Sequence, residues 1–423
     1  MKILMLTPRF PYPPTRGDTV RSWVELGGLA QRHDVWLACV ERSAPPAEHL
    51  EHVRRYCRNV AVLPRATFGN LCHGTLSLLA GKSFTEGYFG RPGLASILRQ
   101  WARSVKFDAV LTFSSSIAPA AKEVGARRRV LDMCDVDSAK WATYARRSVP
   151  PLSWLYRLES RRVAELEQRC LHQHDICLLV NERERDKLPQ RVPDAMTGVL
   201  PTTVDLVDYA TEDGDKPAMP AEPVIGMVGS MFYPPNVRAV NWFGRNVWPR
   251  VRAALPEARW LIVGSRPSRS VRRWNRLPGV TVTGFVPDVR AYLEQMRVFV
   301  NAVDGDMGVQ SKLVIALAAG RAAVVTPDSA AGIEYADKPP FLVAQRPRDF
   351  ADAVIRVASD AALWEQLSTR ASQVAVEKYS HQRQLELLEG WLTGQHRCAG
   401  EEIRESDTAA SGRKLVDTLS VKV

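Results

Sequence analysis

The residues of this chain that could do chemistry fall in loops after short apolar runs. Lys312 closes the stretch Gly308-Val-Gln-Ser311-Lys312 and heads an Ala-rich helical segment. The free N–H groups of a helix's first turn, the positive end of its dipole and an ammonium can together hold an anion. Arg266, in Gly264-Ser-Arg266 after the run Trp260–Val263, offers a second cation. Val228-Gly229-Ser230 and Thr283-Gly284-Phe285-Val286-Pro287-Asp288 end two further runs, and glycine in such a place lets backbone come close to a ligand.

Nearer the N-terminus, Thr7 to Asp18 is a long connection stiffened by prolines, with Gly17 just before a helix. Gly17 serves either as a point of ligand approach or as a plain turn glycine. The loop is not G-x-G-x-x-G, which argues against a dinucleotide dehydrogenase. Asp135-Val-Asp137 has the spacing of a metal loop, but a helix cap by Asp137 before Ser138–Tyr144 explains it more simply, and no metal site is assigned. His33, His73, His172, His174 and His381 lie in no motif, so none is named as a general base.

The elements that must position these residues alternate. Strand-like runs at Ile3–Leu6, Val35–Val40, Val60–Leu63, Ala109–Phe113, Val130–Met133, Ile176–Val180 and Gly198–Leu200 are interleaved with helical periods at 20–31, 47–57, 118–124 and 152–172. Between Asp205 and Pro223 the pattern stops in a Pro-, Gly- and charge-rich linker. A second series follows: strands at Val224–Val228, Trp260–Val263, Val280–Thr283, Val298–Ala302 and Ala322–Thr326, and helices at 237–254, 289–295 and 311–319. Further helices are predicted at 349–357, 361–377 and 381–392. Strands separated by helices imply parallel sheets covered on both faces. The predicted fold is therefore α/β, with two Rossmann-like doubly wound lobes. The lobes span 1–205 and 223–380, joined by a 206–222 linker, with a final helix at 381–395 and a disordered tail at 396–423.

Composition agrees with this. At 423 residues, 45% hydrophobic and 24% charged, the chain suits two packed α/β domains. Its net charge of +11 favours acidic partners, yet no basic block carries the aromatic spacing of a nucleic-acid platform, so nucleic acid is not expected. Seven cysteines form no C-x-x-C pair and read as reduced core residues. The N-terminus enters a strand without a secretory signal, and no window reaches the ~20 apolar residues of a membrane helix, so a cytoplasmic protein is expected. Arg146, Arg147, Trp154, Leu155, Tyr156 and Arg157 mix basic and bulky apolar side chains as an interfacial segment does, which leaves peripheral contact with the inner face of a membrane open. A helix packed on its own lobe is the plainer reading.

The order and spacing of these loops resemble glycosyltransferase family 4 of the GT-B fold, closest to the sugar transferases of bacterial exopolysaccharide and exosortase-type systems. The likeness is carried by Thr15–Ser22, Asp135–Trp141, Gly229–Val237, Val263–Ser268, Val282–Asp288 and Gly308–Gly320, and spans roughly residues 1–395. The resemblance implies two lobes facing a cleft, with a nucleotide-sugar donor on the second, a glycan or lipid-linked acceptor on the first, and the last helix crossing back to the first. It implies that Arg266 and Lys312 neutralise the donor diphosphate, with Gly17, Gly229, Ser230, Gly308 and Ser311 approaching the donor and Phe285 and Val286 receiving the base through backbone. Asp135, Asp137 and Lys140 would lie on the acceptor side or be structural. Transfer would be metal-independent, without a cofactor beyond the nucleotide sugar, and with retention of configuration, in polysaccharide or glycoconjugate biosynthesis.

The family pattern has two glutamates where this chain has Met307 and Ile315. Loss of the second removes the partner of a donor ribose hydroxyl, worth ~1–3 kcal/mol if buried unpaired. Asp304, Asp306 or Glu334 can take over that contact, the donor pocket can differ, or the chain can be a silent GT-B protein that binds a glycan or scaffolds a partner. Ile315 also fits simply as an apolar residue on the buried face of its helix. A nucleotide-sugar epimerase of similar two-lobed shape is disfavoured, because no carboxylate and histidine arrangement suits that chemistry.

Overall fold

A computed structural model describes residues 1–14, 17–64, 67–90, 92–188, 196–203, 217–305 and 309–396. Gly308, Met307, Asp306, most of the expected linker and the tail beyond His396 lie outside the described residues. Contacts divide the described residues into one unit of Met1–Pro201 with Gln384–His396, and a second of Thr202–Arg383.

The first unit runs β1 (Lys2–Thr7), α1 (Gly17–Ala30), β2 (Asp34–Glu41), α2 (Ala47–Arg54), β3 (Asn59–Pro64), α3 (Thr67–Leu79), α4 (Phe84–Phe89), α5 (Pro92–Ser104), β4 (Phe107–Phe113), a 3-10 turn at Ala118–Glu123, β5 (Ala126–Cys134), α6 (Asp137–Arg146), α7 (Leu152–Gln173), β6 (Ile176–Leu179), α8 (Glu182–Arg185) and β7 (Thr197–Val199). Its seven strands lie in the order β3-β2-β1-β4-β5-β6-β7. All pairings are parallel, with Ile3 opposite both Val35 and Ala109. A strand such as β1, Ile3 to Thr7 buried throughout, is apolar without alternation because helices cover both faces. On one face Leu4, Leu6 and Val110 meet Leu94, Leu98 and Trp101 of α5. Leu131 and Leu179 pack with Leu166 and Cys170 of α7 in a separate cluster.

The second unit runs β8 (Val224–Val228), α9 (Pro234–Asn246), α10 (Trp248–Ala254), β9 (Arg259–Val263), α11 (Arg269–Arg272), β10 (Val280–Val282), α12 (Arg290–Gln295), β11 (Val298–Asn301), α13 (Ser311–Ala318), β12 (Ala323–Val325), α14 (Pro327–Ala330), β13 (Phe341–Val343), α15 (Pro347–Ser359) and α16 (Ala361–Tyr379), with α17 (His381–Thr393) closing the chain. Its parallel sheet has the order β10-β9-β8-β11-β12-β13. Residues alternate across it. Trp260 and Ile262 join Phe243, Trp248 and Phe350, while Leu261 and Val263 join Leu313, Leu317 and Ala371. The α/β class with two Rossmann-like sheets is thus observed.

Several local expectations are corrected. The helix expected over 237–254 is two, α9 and α10, broken at Val247 because Pro249 occupies the first turn of α10 and cannot donate into a continuing helix. The segment 118–124 is a 3-10 turn. Asp137 does not cap α6. It is the helix's first residue and its carboxylate faces Lys140, while the amides of Val136 and Ser138 donate to Glu184 and Glu167 from elsewhere in the unit. Cys72 is exposed, unlike the buried Cys39, Cys170 and Cys177.

From Gln384, α17 is grouped with the first unit. Leu385 occupies the space above Gly28, where an added Cβ would lie 2.2 Å from it, and Glu389 pairs with Arg32 at 2.8 Å.

Candidate functional site

In an open parallel sheet, ligands bind outside the carboxyl ends of strands at the point where strand order reverses. In the second unit that point lies between β8 and β11, which are neighbours but far apart in sequence. Gly229 follows β8, and α13 with Lys312 follows β11.

The loops after β8, β9 and β10 are stitched into one edge. Gly229 N–H donates to Val263 O at 3.0 Å, Met231 N–H to Ser265 O at 3.0 Å, and Gly264 N–H to Gly284 O at 3.2 Å. Glycine is required at two of these positions. Gly264 has φ 152° and an added Cβ would lie 1.7 Å from Gly229 O, while Gly229 has φ 156° and its Cβ would lie 2.7 Å from Asn236 Nδ2. Backbone therefore lines this edge where side chains would block it.

Lys312 enters from α13. Its Nζ donates to Asn236 Oδ1 at 2.6 Å, and Asn236 Nδ2 donates to Ser230 O at 3.1 Å. Asn236 sits in the first turn of α9, which starts with Pro234 at a position where no amide is needed. Among the described residues no carboxylate pairs with Lys312, and burial pushes its ammonium down to about 8. A half-buried cation with only a neutral amide for company is electrostatically incomplete, and an anion would complete it. Ser311 opens α13, and the preceding Gln310 makes no side-chain cap. Gln310 instead turns inward, accepting from Asn301 Nδ2 at 2.8 Å.

Arg266 has φ 48°, and its guanidinium lies 4.0 Å over the Phe232 ring. Such a cation–π contact holds a cation without neutralising it. Phe285 is 70% exposed, and Val286 is half-buried against the α13 cluster. Glu334 lines an open cavity of about 650 Å³ with Pro327, Ile333, Tyr335 and Lys378, and its N–H donates to the Tyr379 hydroxyl at 2.8 Å. Asp304 is exposed. Ile315 is half-buried against the Leu313–Leu317 cluster.

In the first unit Gly17 opens α1, and Asp18 beside it pairs with Arg9 at 2.7 Å. Lys140 bridges the two acids of the D-x-D stretch, 2.8 Å from Asp135 and 3.2 Å from Asp137. Burial works against its charge, yet the two carboxylates outweigh it and raise its pKa well above the ordinary value.

Four features escape the sequence reading. Asn236 lies in a quoted stretch but carries no assignment there. Arg21, Asp132 and Glu25 form a buried cluster: Arg21 donates to both Asp132 oxygens at 2.5 and 3.0 Å and to Leu200 O at 2.8 Å, with Glu25 at 3.2 Å. Its signal is an acid inside the strand Val130–Met133 and an Arg–Glu i,i+4 pair in an otherwise uncharged buried stretch of helix. Ser114 and Cys134, at the carboxyl ends of β4 and β5, have φ 76° and 65°. Non-glycine residues held there cost ~1–3 kcal/mol each and gather at functional edges. Arg266 is the third such residue among those described.

Comparison with known proteins agrees with this architecture. Residues 222–360 match the family described as Glycosyl transferases group 1. The chain superposes on sucrose-phosphate synthase from Thermosynechococcus elongatus with TM-score 0.65 and 15% identity, covering 93% of this chain and 99% of that one. It superposes on Anabaena HepE in complex with UDP and glucose with TM-score 0.61 and 13% identity, covering 93% and 100%. A glycosyltransferase from Rickettsia africae gives TM-score 0.61 and 11% identity, covering 93% and 98%. No curated protein sequence matches the chain. The fold is GT-B, and the match to the group 1 glycosyl transferases begins and ends within its second unit.

Proposed function

We propose that the chain is a hexosyl-type glycosyltransferase that uses a nucleoside diphosphate sugar. The observation that carries this is Lys312, a half-buried ammonium at the head of α13 with no carboxylate partner among the described residues, on the sheet edge that Gly229 and Gly264 keep open. A diphosphate supplies the missing negative charge. Arg266 adds a second positive charge, the α13 amides add donors, and the backbone after β10 at Phe285 and Val286 is offered to the base.

The bond from the anomeric carbon to the diphosphate oxygen breaks as an acceptor hydroxyl oxygen bonds to that carbon and gives its proton to the departing diphosphate oxygen. Negative charge grows on the departing diphosphate, and fixed cations and amides stabilise it there. In this reading the residues that act are Lys312 and Arg266, transfer proceeds with retention and without a metal, and the acceptor is a glycan or lipid-linked precursor met by Asp135, Asp137 and Lys140. Glu334 is the described acid proposed for the donor ribose or sugar.

A second reading, a silent GT-B protein, draws on one observation: Ile315 packs as core where the family pattern places an acid. Release of UDP from UDP-glucose, the sugar nucleotide bound in a HepE structure of the same fold, is the first assay, with GDP, ADP and dTDP sugars alongside. Turnover of one donor, reduced about 10- to 100-fold in Lys312→Ala as loss of a charge-assisted contact requires, supports transfer. Binding of a nucleotide without turnover of any sugar supports the silent reading.

A further inference from the structure

The helix α3 is built inside out. Asn70 and Gly74 face inward, and a Cβ on Gly74 would lie 2.4 Å from the Phe84 ring of α4. Outward stand Leu71, Leu76 and Leu79, which are 48%, 60% and 81% exposed. The first turns of α7 and the residues before them share this character, with Val149 78%, Trp154 63% and Leu155 48% exposed. The two regions are joined through α4, whose Phe84 and Thr85 amides donate to Glu159 of α7 at 2.8 and 2.9 Å.

Charge on these segments has one sign. From His52 to Thr85 and from Ser138 to Leu158 the sequence holds no Asp or Glu. Arg146, Arg147, Arg157 and Arg161 are exposed, and among the described residues none is paired with a carboxylate. Exposed apolar side chains that include a tryptophan, interspersed in sequence with unpaired arginines, match the composition of a bilayer interface: apolar groups enter the headgroup region while guanidinium groups meet phosphates. A symmetric contact between two copies would set these arginines against one another.

We propose that the outer face made by α3 and the start of α7 docks this protein on an anionic lipid bilayer, with Trp154, Leu155, Leu76 and Leu79 entering the interface and the arginines binding lipid phosphates. The proposal stands apart from the transferase reading, since its readout is lipid partition.

The test is sedimentation of the full chain with vesicles of phosphatidylcholine alone and of phosphatidylcholine with phosphatidylglycerol. The proposal expects binding to the mixed vesicles and little to the neutral ones. It also expects partition at least about tenfold lower in Trp154→Ser with Leu155→Ser and in Arg146→Glu with Arg147→Glu. These side chains are exposed, so the thermal midpoints of the variants should match the parent's. Equal partition onto both vesicles, no partition onto either, or variants that bind like the parent would overturn it. So would self-association in sedimentation velocity that Trp154→Ser abolishes, which would make a second copy the occupant.

Discussion

Lys312 and Asn236 meet through a single hydrogen bond, Nζ to Oδ1 at 2.6 Å, and that bond ties the head of α13 to the first turn of α9. The strands preceding these helices, β11 and β8, are adjacent in the sheet, so the pair closes the switch point from both sides. Asn236 orients the ammonium and leaves its charge intact. Asn236→Ala is therefore expected to weaken nucleoside diphosphate binding less than Lys312→Ala does. Calorimetric titration of both variants checks the order, and the reverse order would make Asn236 the principal ligand group.

Burial sets the pH response of this site. With Lys312 pushed down to about 8, its charge is lost as pH rises through that value. The folded chain then binds fewer protons than the unfolded chain between about 8 and the ordinary lysine value of 10.5, so this group costs stability below pH 8 and the cost fades as pH rises. A bound diphosphate favours the ammonium. Affinity is expected to fall above pH 8, and binding at pH 8 to 9 to take up protons, seen as enthalpies that vary with buffer ionisation heat. Lys312→Arg should flatten both effects.

Gly264→Ala is expected to abolish nucleotide binding and to lower stability by ~1–3 kcal/mol, because the new Cβ would meet Gly229 O at 1.7 Å in a backbone conformation L residues avoid. Thermal denaturation and titration together check this. An unchanged midpoint would show that the loop can yield.

The Arg21–Asp132 pair is expected to hold the first unit together. Asp132→Ala strands a buried guanidinium and should cost ~3–5 kcal/mol in urea unfolding. Glu25 beside it is held neutral, since burial and then Asp132 raise its pKa well above the ordinary range. Its stabilising share is present below about pH 4.5 and is lost as pH rises through the raised value. Glu25→Gln should therefore gain stability relative to the parent as pH rises from about 4.5 into the alkaline range. A constant difference across that range would refute the shift.

The strands were the most legible part of the chain. Runs such as Val224–Val228 and Ile176–Leu179 are apolar on both faces because both faces are covered, and their shortness and β-branched content mark them as strands. The helix α3 was not legible, because its outward Leu71, Leu76 and Leu79 and inward Asn70 and Gly74 invert the pattern that periodicity looks for. At the candidate site, Lys312 and the glycines stood out by residue type. Asn236 did not, since an asparagine in a helix's first turn usually serves as a local cap, and its partner lies 76 positions away. The buried acid Asp132 was hidden for a similar reason: its partner Arg21 is 111 positions distant.

The most direct measurement is calorimetric titration of the full chain with UDP, GDP, ADP, CDP and dTDP, with Lys312→Ala in parallel. The account expects one of these to bind, with affinity at least about tenfold weaker in the variant. Binding that is unchanged in Lys312→Ala, or no binding of any nucleotide, would contradict the placement of the donor site at the head of α13.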